Sequence, residues 1–524
     1  MQSITMKTIY KLLFIFTCFT ITNAHAQTPK EKGLAAIDEA TINSTLTHLA
    51  SDWMEGREAG RPGAYRAAEY IASLFEFMGL EPAGDIINGK PTFFQSFDVL
   101  EYKAAKKQSL SITSAGQEYS FAYHTDFEVK AAPTSIKGKG DLVFVGYGLA
   151  VDSLNYDDFA KQSVKGKIWV RLKGAPTKGE LGKSFKELPA KQLHLLKSKL
   201  AEEMGALAVI EIDPNSALPK QSSNFPFRDN RKYYEGDEPL SSFYETQLYS
   251  PINKVSKIAP VFMGGAYLMA SLLDQKDLET YHNALQSGKA SQITLKAEKA
   301  AFKANSEVER KRVRNVLAKI TGEEEPDSVV MVGAHYDHLG KRDGYVWNGA
   351  DDNASGVAAI LGIAKAAKAT GVKPKKTILF ASWTAEEKGL HGSKHFLRTY
   401  EQKENINVYL NFDMIGRRGD WHSKDNQVSF IYTAEMASIW DKNERNIADF
   451  NINLEMFDGK TKMGEAGGSD NVNFDKEGIP YFWYHTGGHE DYHQVSDHSD
   501  KIMMDKAAEI TKLSYLNIWD LANE

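Results

Sequence analysis

The sequence predicts an α/β fold, a three-layer sandwich with a mixed, largely parallel sheet, interrupted by a β-rich insert. Three observations predict it. From about residue 308, short apolar runs of strand length alternate with helical patterns, the order expected of a parallel sheet with covering helices. Four of those apolar runs end in clusters of acids and histidines. Between about 126 and 264 the texture changes to short β-rich runs bounded by glycine.

The chain has 524 residues, 42% hydrophobic and 25% charged, ordinary globular composition with length for more than one domain. The net charge is −6, and Lys and Arg are interspersed with Asp and Glu. No basic stripe is present, which excludes a nucleic-acid partner. At the N-terminus, Lys7 and Lys11 precede the apolar run LLFIFTCF, and Ala24-His25-Ala26 fits a small-x-small cleavage site before Gln27. Residues 1–26 are therefore expected to be a secretory signal, and the chain to be periplasmic or extracellular. That run is too short to anchor in a bilayer, and no other segment is apolar enough. No stable membrane span is expected in the mature chain, and nothing in the pattern sets an oligomeric state. The single cysteine, Cys18, lies inside the signal. Stability must then come from the core, without disulfides.

Along the chain, residues 27–40 read as a loosely held leader. A helical pattern runs from Ile42 to about Ala50, and a second from Arg61 to Met78, stopped by Gly79. Residues 92–99 alternate as a strand. These elements make 27–125 the first part of the main domain. The insert, 126–264, holds KGDLVFVGYGLAV and KGKIWVRLKG, a helix over 193–204, a buried strand after Gly205 and a polar excursion of loops over 214–255. The main domain resumes over 265–524. Its strands are expected at 316–320, 328–332, 377–383, 408–412 and 479–484, with an Ala-rich helix over 356–369.

The strand ends carry the chemistry. SVVMV runs into GAHYDHLG, TILFASW into TAEEKGLHGS, VYLNF into DMIG, and IPYFWY into HTGGHEDYH; NGADDNASG opens the Ala-rich helix. In open α/β sheets, ligands sit beyond the carboxyl ends of the strands. That rule alone gathers His335, Asp337, Asp351, Asp352, Glu386, Glu387, Asp413 and His493 into one pocket. Imidazole and carboxylates without thiolate suit zinc or a similar divalent ion. So many carboxylates, partly out of water, call for two cations to neutralise them. One carboxylate is then free to serve as a general base.

The motifs GAHYDH, GADDNASG, WTAEEKGLHGS, NFDMIG and DYHQVSD, in this order, resemble the M28 family of co-catalytic zinc aminopeptidases over about 308–505. The stretch LASDWMEGREAGRPGAYRAAEYIASLFEFMGLEP is similar to the opening of that family. GYG, NYDDF, VKGKI and GALAVI in the insert resemble a protease-associated (PA) domain. The resemblance implies two zinc ions per chain and a peptide or protein substrate. It implies His335 and Asp413 on one ion, Glu387 and His493 on the other, and Asp352 bridging. It implies Glu386 as general base, Asp337 orienting the His335 imidazole, and a non-proline cis peptide at Asp352–Asn353. Tyr492, beside His493, is a candidate for stabilising an oxyanion, and Asp351 for shaping the turn behind the bridge.

HEDYH, at 489–493, matches the H-E-x-x-H zinc signature, which needs a helix to bring both histidines to one face. Gly487-Gly488 before it favour a turn, which argues against that helix, and of the two histidines the resemblance implies only His493 as a ligand. His338, His391, His395 and His498 are expected to be structural or surface residues. GGSDN at 467–471 has Asn471 where the family often has His. The reading is thus an exported metallo-aminopeptidase. Alternatives on the same fold are a carboxypeptidase, a glutaminyl cyclase, which uses one zinc, and a non-enzymatic binding ectodomain.

Overall fold

The computed structural model describes residues 27–130, 132–160, 162–177, 179–186, 190–213, 246–250, 259–286, 293–459 and 468–524. The expected signal at 1–26 and most of the loop excursion at 214–255 lie outside them.

The architecture is α/β. A ten-stranded mixed sheet runs in the order Gln247–Tyr249, Phe94–Ala104, Ser306–Ile320, Lys376–Trp383, Glu325–His335, Ile406–Phe412, Tyr481–His485, Gln427–Tyr432, Glu455–Asp458, with the short strand Glu81–Pro82 beside Ser306–Ile320. The four strands from Lys376–Trp383 to Tyr481–His485 are mutually parallel, and antiparallel pairs flank them. The chain leaves Glu325–His335 to form its neighbour on one side, Lys376–Trp383, then crosses to form its neighbour on the other, Ile406–Phe412. This reversal opens a crevice at the carboxyl end of Glu325–His335.

Both faces of the central strands are covered, which is why they read as continuous apolar runs. Alternate residues diverge. Val330, Val332 and Ala334 join a core with Ile378, Phe380, Val408 and Leu410 under the Gly356–Ala369 helix. Val329 and Met331 face the other way, with Leu379, Trp383, Tyr409, Phe396 and Phe474. The Gly356–Ala369 helix is itself apolar nearly all round, because further helices cover its outer side. A Cβ at Gly362 would come within 3.1 Å of Thr511 and 3.2 Å of Ile42, so these helices pack backbone-close.

One sequence expectation needs correction. Residues 27–40 are not a loose leader: Pro29–Ala35 is a helix with a reciprocal Thr28–Glu31 capping box, seated on the Gly356–Ala369 and Met504–Asn523 helices. At the C-terminus, the 20-residue helix Met504–Asn523 contributes Ile510, Leu513, Tyr515 and Leu516 to the main core.

A second, eight-stranded sheet runs Gln117–Phe121, Ser109–Ser114, Lys299–Ala304, Ile136–Phe144, Ile168–Leu172, Ala208–Ile212, Val261–Gly264, Phe127–Lys130, with hydrophobic clusters of its own. It draws on strands before 126 and after 264, more chain than the change of texture marked. Asp158 organises one of its loops by accepting from the Tyr147 and Leu149 N–H groups and the Tyr156 and Tyr281 hydroxyls.

Candidate active site

Each strand end delivers its side chain to the crevice. His335 is the last residue of its strand and 1% exposed. Its Nδ1 donates to the Asp337 carbonyl oxygen at 3.1 Å, since a carbonyl only accepts. That fixes the ring and turns Nε2 toward the carboxylates. Nε2 lies 3.3 Å from Asp352 Oδ1, 3.5 Å from Asp413 Oδ1 and 3.8 Å from Glu386 Oε2, and no hydrogen bond reaches it.

A second group adjoins the first. His493 Nε2 is 3.1 Å from Asp352 Oδ2 and 3.1 Å from Glu387 Oε2. Asp352 thus turns one oxygen to each histidine. It reaches that position from the turn entering the Gly356–Ala369 helix, where the Asp352–Asn353 peptide bond is cis. Residues 489–493 form turns and no helix, and the two histidines of HEDYH point to different carboxylates: His489 Nε2 lies 3.2 Å from Asp351 Oδ2. The Tyr492 ring, half-buried, stacks on the His493 ring at 3.9 Å.

The supporting residues differ in part from expectation. Asp337 meets His335 through its backbone carbonyl, while its carboxylate accepts the Glu386 N–H at 3.1 Å. Asp351 Oδ1 accepts the Gly416 N–H at 2.6 Å, tying the bridge turn to the loop after Asp413. His338, read as structural, lies 2.7 Å from Glu387 Oε1. His395 stacks on Phe97, and His498 lies beside Asn348. Burial pushes the His391 imidazole down to about 4.

Three residues at the site escaped the sequence reading. Asp497 accepts the backbone N–H groups of Asp351 and Asp352 at 3.1–3.2 Å, and the only signal for it was its place at the end of DYHQVSD. Asp470, within the GGSDN segment, is fully buried and accepts from Ser393; burial, against the pull of His335, pushes it up to about 7. Arg57, in the MEGR stretch, is also fully buried and donates to four carbonyls, those of Tyr336, Leu49, Asn348 and Gly349. It staples the His335–His338 loop to the loop that enters the bridge turn. Arg57→Met is expected to take the guanidinium donors from four buried carbonyls, of which Gly349 keeps the Ala354 N–H, and to cost about 3 kcal/mol or more, read as a fall in melting temperature.

The two adjacent glutamates are driven apart electrostatically. Burial raises Glu386 well above the usual carboxylate range, and Glu387, Asp413 and Asp470 add to it against His335. Burial and Asp352 also raise Glu387, but His493 and His338 outweigh them and hold it near 2. Burial lowers His493, yet Glu387 and Asp352 bring it up to about 10. The site also fits a metal. Ligand atoms of His335, Glu386 and Asp413, and of His335, Asp352 and Glu387, lie within 4.8 Å of one another, an imidazole–carboxylate donor set for a divalent ion.

The crevice at the sheet's switch point, lined by histidines and carboxylates, belongs to an α/β protein with a donor set that could hold a divalent ion. Residues 315–517 match the model of peptidase family M28. It is similar to the Glutamate carboxypeptidase 2 homolog of Caenorhabditis briggsae, 28% identical over 308 residues, or 54% of this chain and 38% of that one. It is also similar to an Aminopeptidase of Pseudomonas aeruginosa, 46% identical over 105 residues, or 20% of this chain and 18% of that one. The chain thus spans well under two thirds of the curated relatives it matches. Its fold is that of an aminopeptidase from Aneurinibacillus sp. strain AM-1, with a TM-score of 0.57 at 18% identity, covering 94% of this chain and 96% of that one. Among the described residues, no helix is long and apolar enough to cross a membrane.

Proposed function

We propose that this protein is an exported zinc peptidase that removes N-terminal residues from peptides. The observation that carries the reading is Asp352, whose two oxygens face two separate histidine–carboxylate groups. His335, Asp413 and Asp352 would hold one zinc, and Glu387, His493 and Asp352 the other. When bound, the pair supplies Lewis-acid polarisation of a carbonyl and makes water easier to deprotonate.

The chain supplies the rest. Glu386, raised by burial and anchored through its N–H to Asp337, accepts a proton from the attacking water and returns it to the leaving amine. Asp337 and Asp351 position the loops, and Tyr492 is offered to the oxyanion. The second sheet is proposed as a PA-like module that narrows access to the crevice. A second reading, release of a C-terminal residue, draws support from the relatives named Glutamate carboxypeptidase 2 homolog.

Mass spectrometry of a peptide library, half N-acetylated, after incubation with zinc-loaded protein tests the reading. Stepwise N-terminal loss confined to the free-amine half is expected. C-terminal loss would favour the second reading. Loss of about 17 mass units from N-terminal glutamine, without cleavage, would mean a cyclase. No change with metal bound would overturn the peptidase.

A further inference from the structure

His338 lies inside the site without belonging to the ligand set that the motifs imply. It is fully buried, three residues beyond His335. Its Nδ1 stands 2.7 Å from Glu387 Oε1 and 3.8 Å from Asp352 Oδ2. An ionised carboxylate only accepts, so Nδ1 carries the proton and donates to Glu387. The ring cannot drift. Its backbone N–H is held by the Arg57 carbonyl at 3.2 Å, and the His493 ring meets it edge-on at 5.7 Å. On its remaining side it lies against the backbone of Gly349, where a Cβ would come within 2.4 Å of the imidazole. Gly349 also has φ +55°, so two separate constraints favour glycine there.

The consequence concerns the two oxygens of Glu387. Oε1 is taken by His338, while Oε2 faces His493 Nε2 at 3.1 Å. We propose that His338 is a positioning residue that holds Glu387 as a one-oxygen ligand and thereby sets the affinity of the ion shared by Asp352, Glu387 and His493. This rests on the two-zinc reading of the site. The imidazole that fixes a ligating carboxylate acts here as a carboxylate acts on a ligating histidine, with donor and acceptor exchanged.

The test is metal binding, independent of turnover. Chelated full-length protein is titrated with Zn2+ against a chromophoric competitor, for wild type, His338→Ala, His338→Gln and His493→Ala, with thermal melting as the check on folding. Wild type is expected to bind two ions. His338→Ala is expected to weaken one of them about 10–100-fold and leave the other unchanged. His338→Gln, which keeps an N–H donor, should recover part of the loss. In a His493→Ala background, His338→Ala should add nothing at the remaining site. Unchanged affinities in His338→Ala, or equal weakening at both sites, would overturn the proposal. So would complete loss of one ion in both His338→Ala and His338→Gln, since that would make His338 a ligand. If His338→Ala fails to fold, His338→Gln decides: one ion modestly weakened supports the proposal, and none weakened overturns it. Wild type binding a single ion would overturn the two-zinc reading, and this inference with it.

Discussion

Glu386→Gln is expected to lower kcat by about 10²–10⁴-fold while leaving fold and metal content intact. The substitution keeps the shape of the side chain and the backbone N–H that donates to Asp337, and removes the carboxylate that would exchange protons. The two roles open to Glu386 give opposite results. Its Oε2 is 3.8 Å from His335 Nε2, the longest of the three carboxylate approaches to that nitrogen, which fits a base beside the ion better than a ligand on it. Yet Glu386 also groups with His335 and Asp413 within ligand range. Metal analysis of the variant after gel filtration separates the roles: two retained ions with lost turnover make Glu386 the base, and a lost ion makes it a ligand. A binding protein on this scaffold would keep its ligand affinity in the variant.

Asp352→Asn should have the larger effect on composition. Among the described residues Asp352 is the one carboxylate that faces both His335 and His493, and asparagine offers a single acceptor oxygen. Metal content is expected to fall below two per chain and turnover to the detection limit. Proton release provides a second readout. Without metal, burial lowers His493, but Glu387 and Asp352 outweigh it and hold the imidazolium to about 10, so at neutral pH an arriving ion must displace its proton. Wild-type affinity should therefore fall as pH falls, with protons released on binding. Titration calorimetry in buffers of different ionisation heat measures that release. It should be smaller in Asp352→Asn, where one of the charges that raises His493 is gone. An unchanged proton count and two retained ions would show that Asp352 is not the bridge.

The strands and the catalytic-side clusters were legible because they are local. SVVMV, TILFASW and VYLNF are buried on both faces, so each declares itself as a continuous apolar run. Each also ends where its chemistry begins. The Ala-rich helix over 356–369 has the same bounds in the structure because Gly356 follows directly on the polar turn that shapes it. Other elements gave weaker signals. Helix Met504–Asn523 buries Lys506, Thr511, Ser514 and Asn517 along with its apolar residues, which blurs its pattern. The strands Gln427–Tyr432 and Glu455–Asp458 are short and lie at one end of the sheet, Glu455–Asp458 at its edge, without a cluster to mark them. The second sheet recruits 109–121 and 299–304 across nearly two hundred residues, a pairing that no local texture announces.

By itself the sequence determined the α/β class, the strand ends that carry His335, Glu386, Glu387 and Asp413, and the donor chemistry of the crevice. All of these rest on periodicity and on residue type within short windows. Only the tertiary structure decided which oxygen serves which partner: Asp352 divided between His335 and His493, Glu387 divided between His338 and His493, Asp337 giving its carbonyl to the His335 imidazole and its carboxylate to the Glu386 N–H. It also revealed Arg57, whose guanidinium meets the Gly349 carbonyl 292 residues away. The physical reason is common to all of them. A side chain's nature is written where it occurs, but its partner is set by how several packed elements place distant backbone within hydrogen-bond reach.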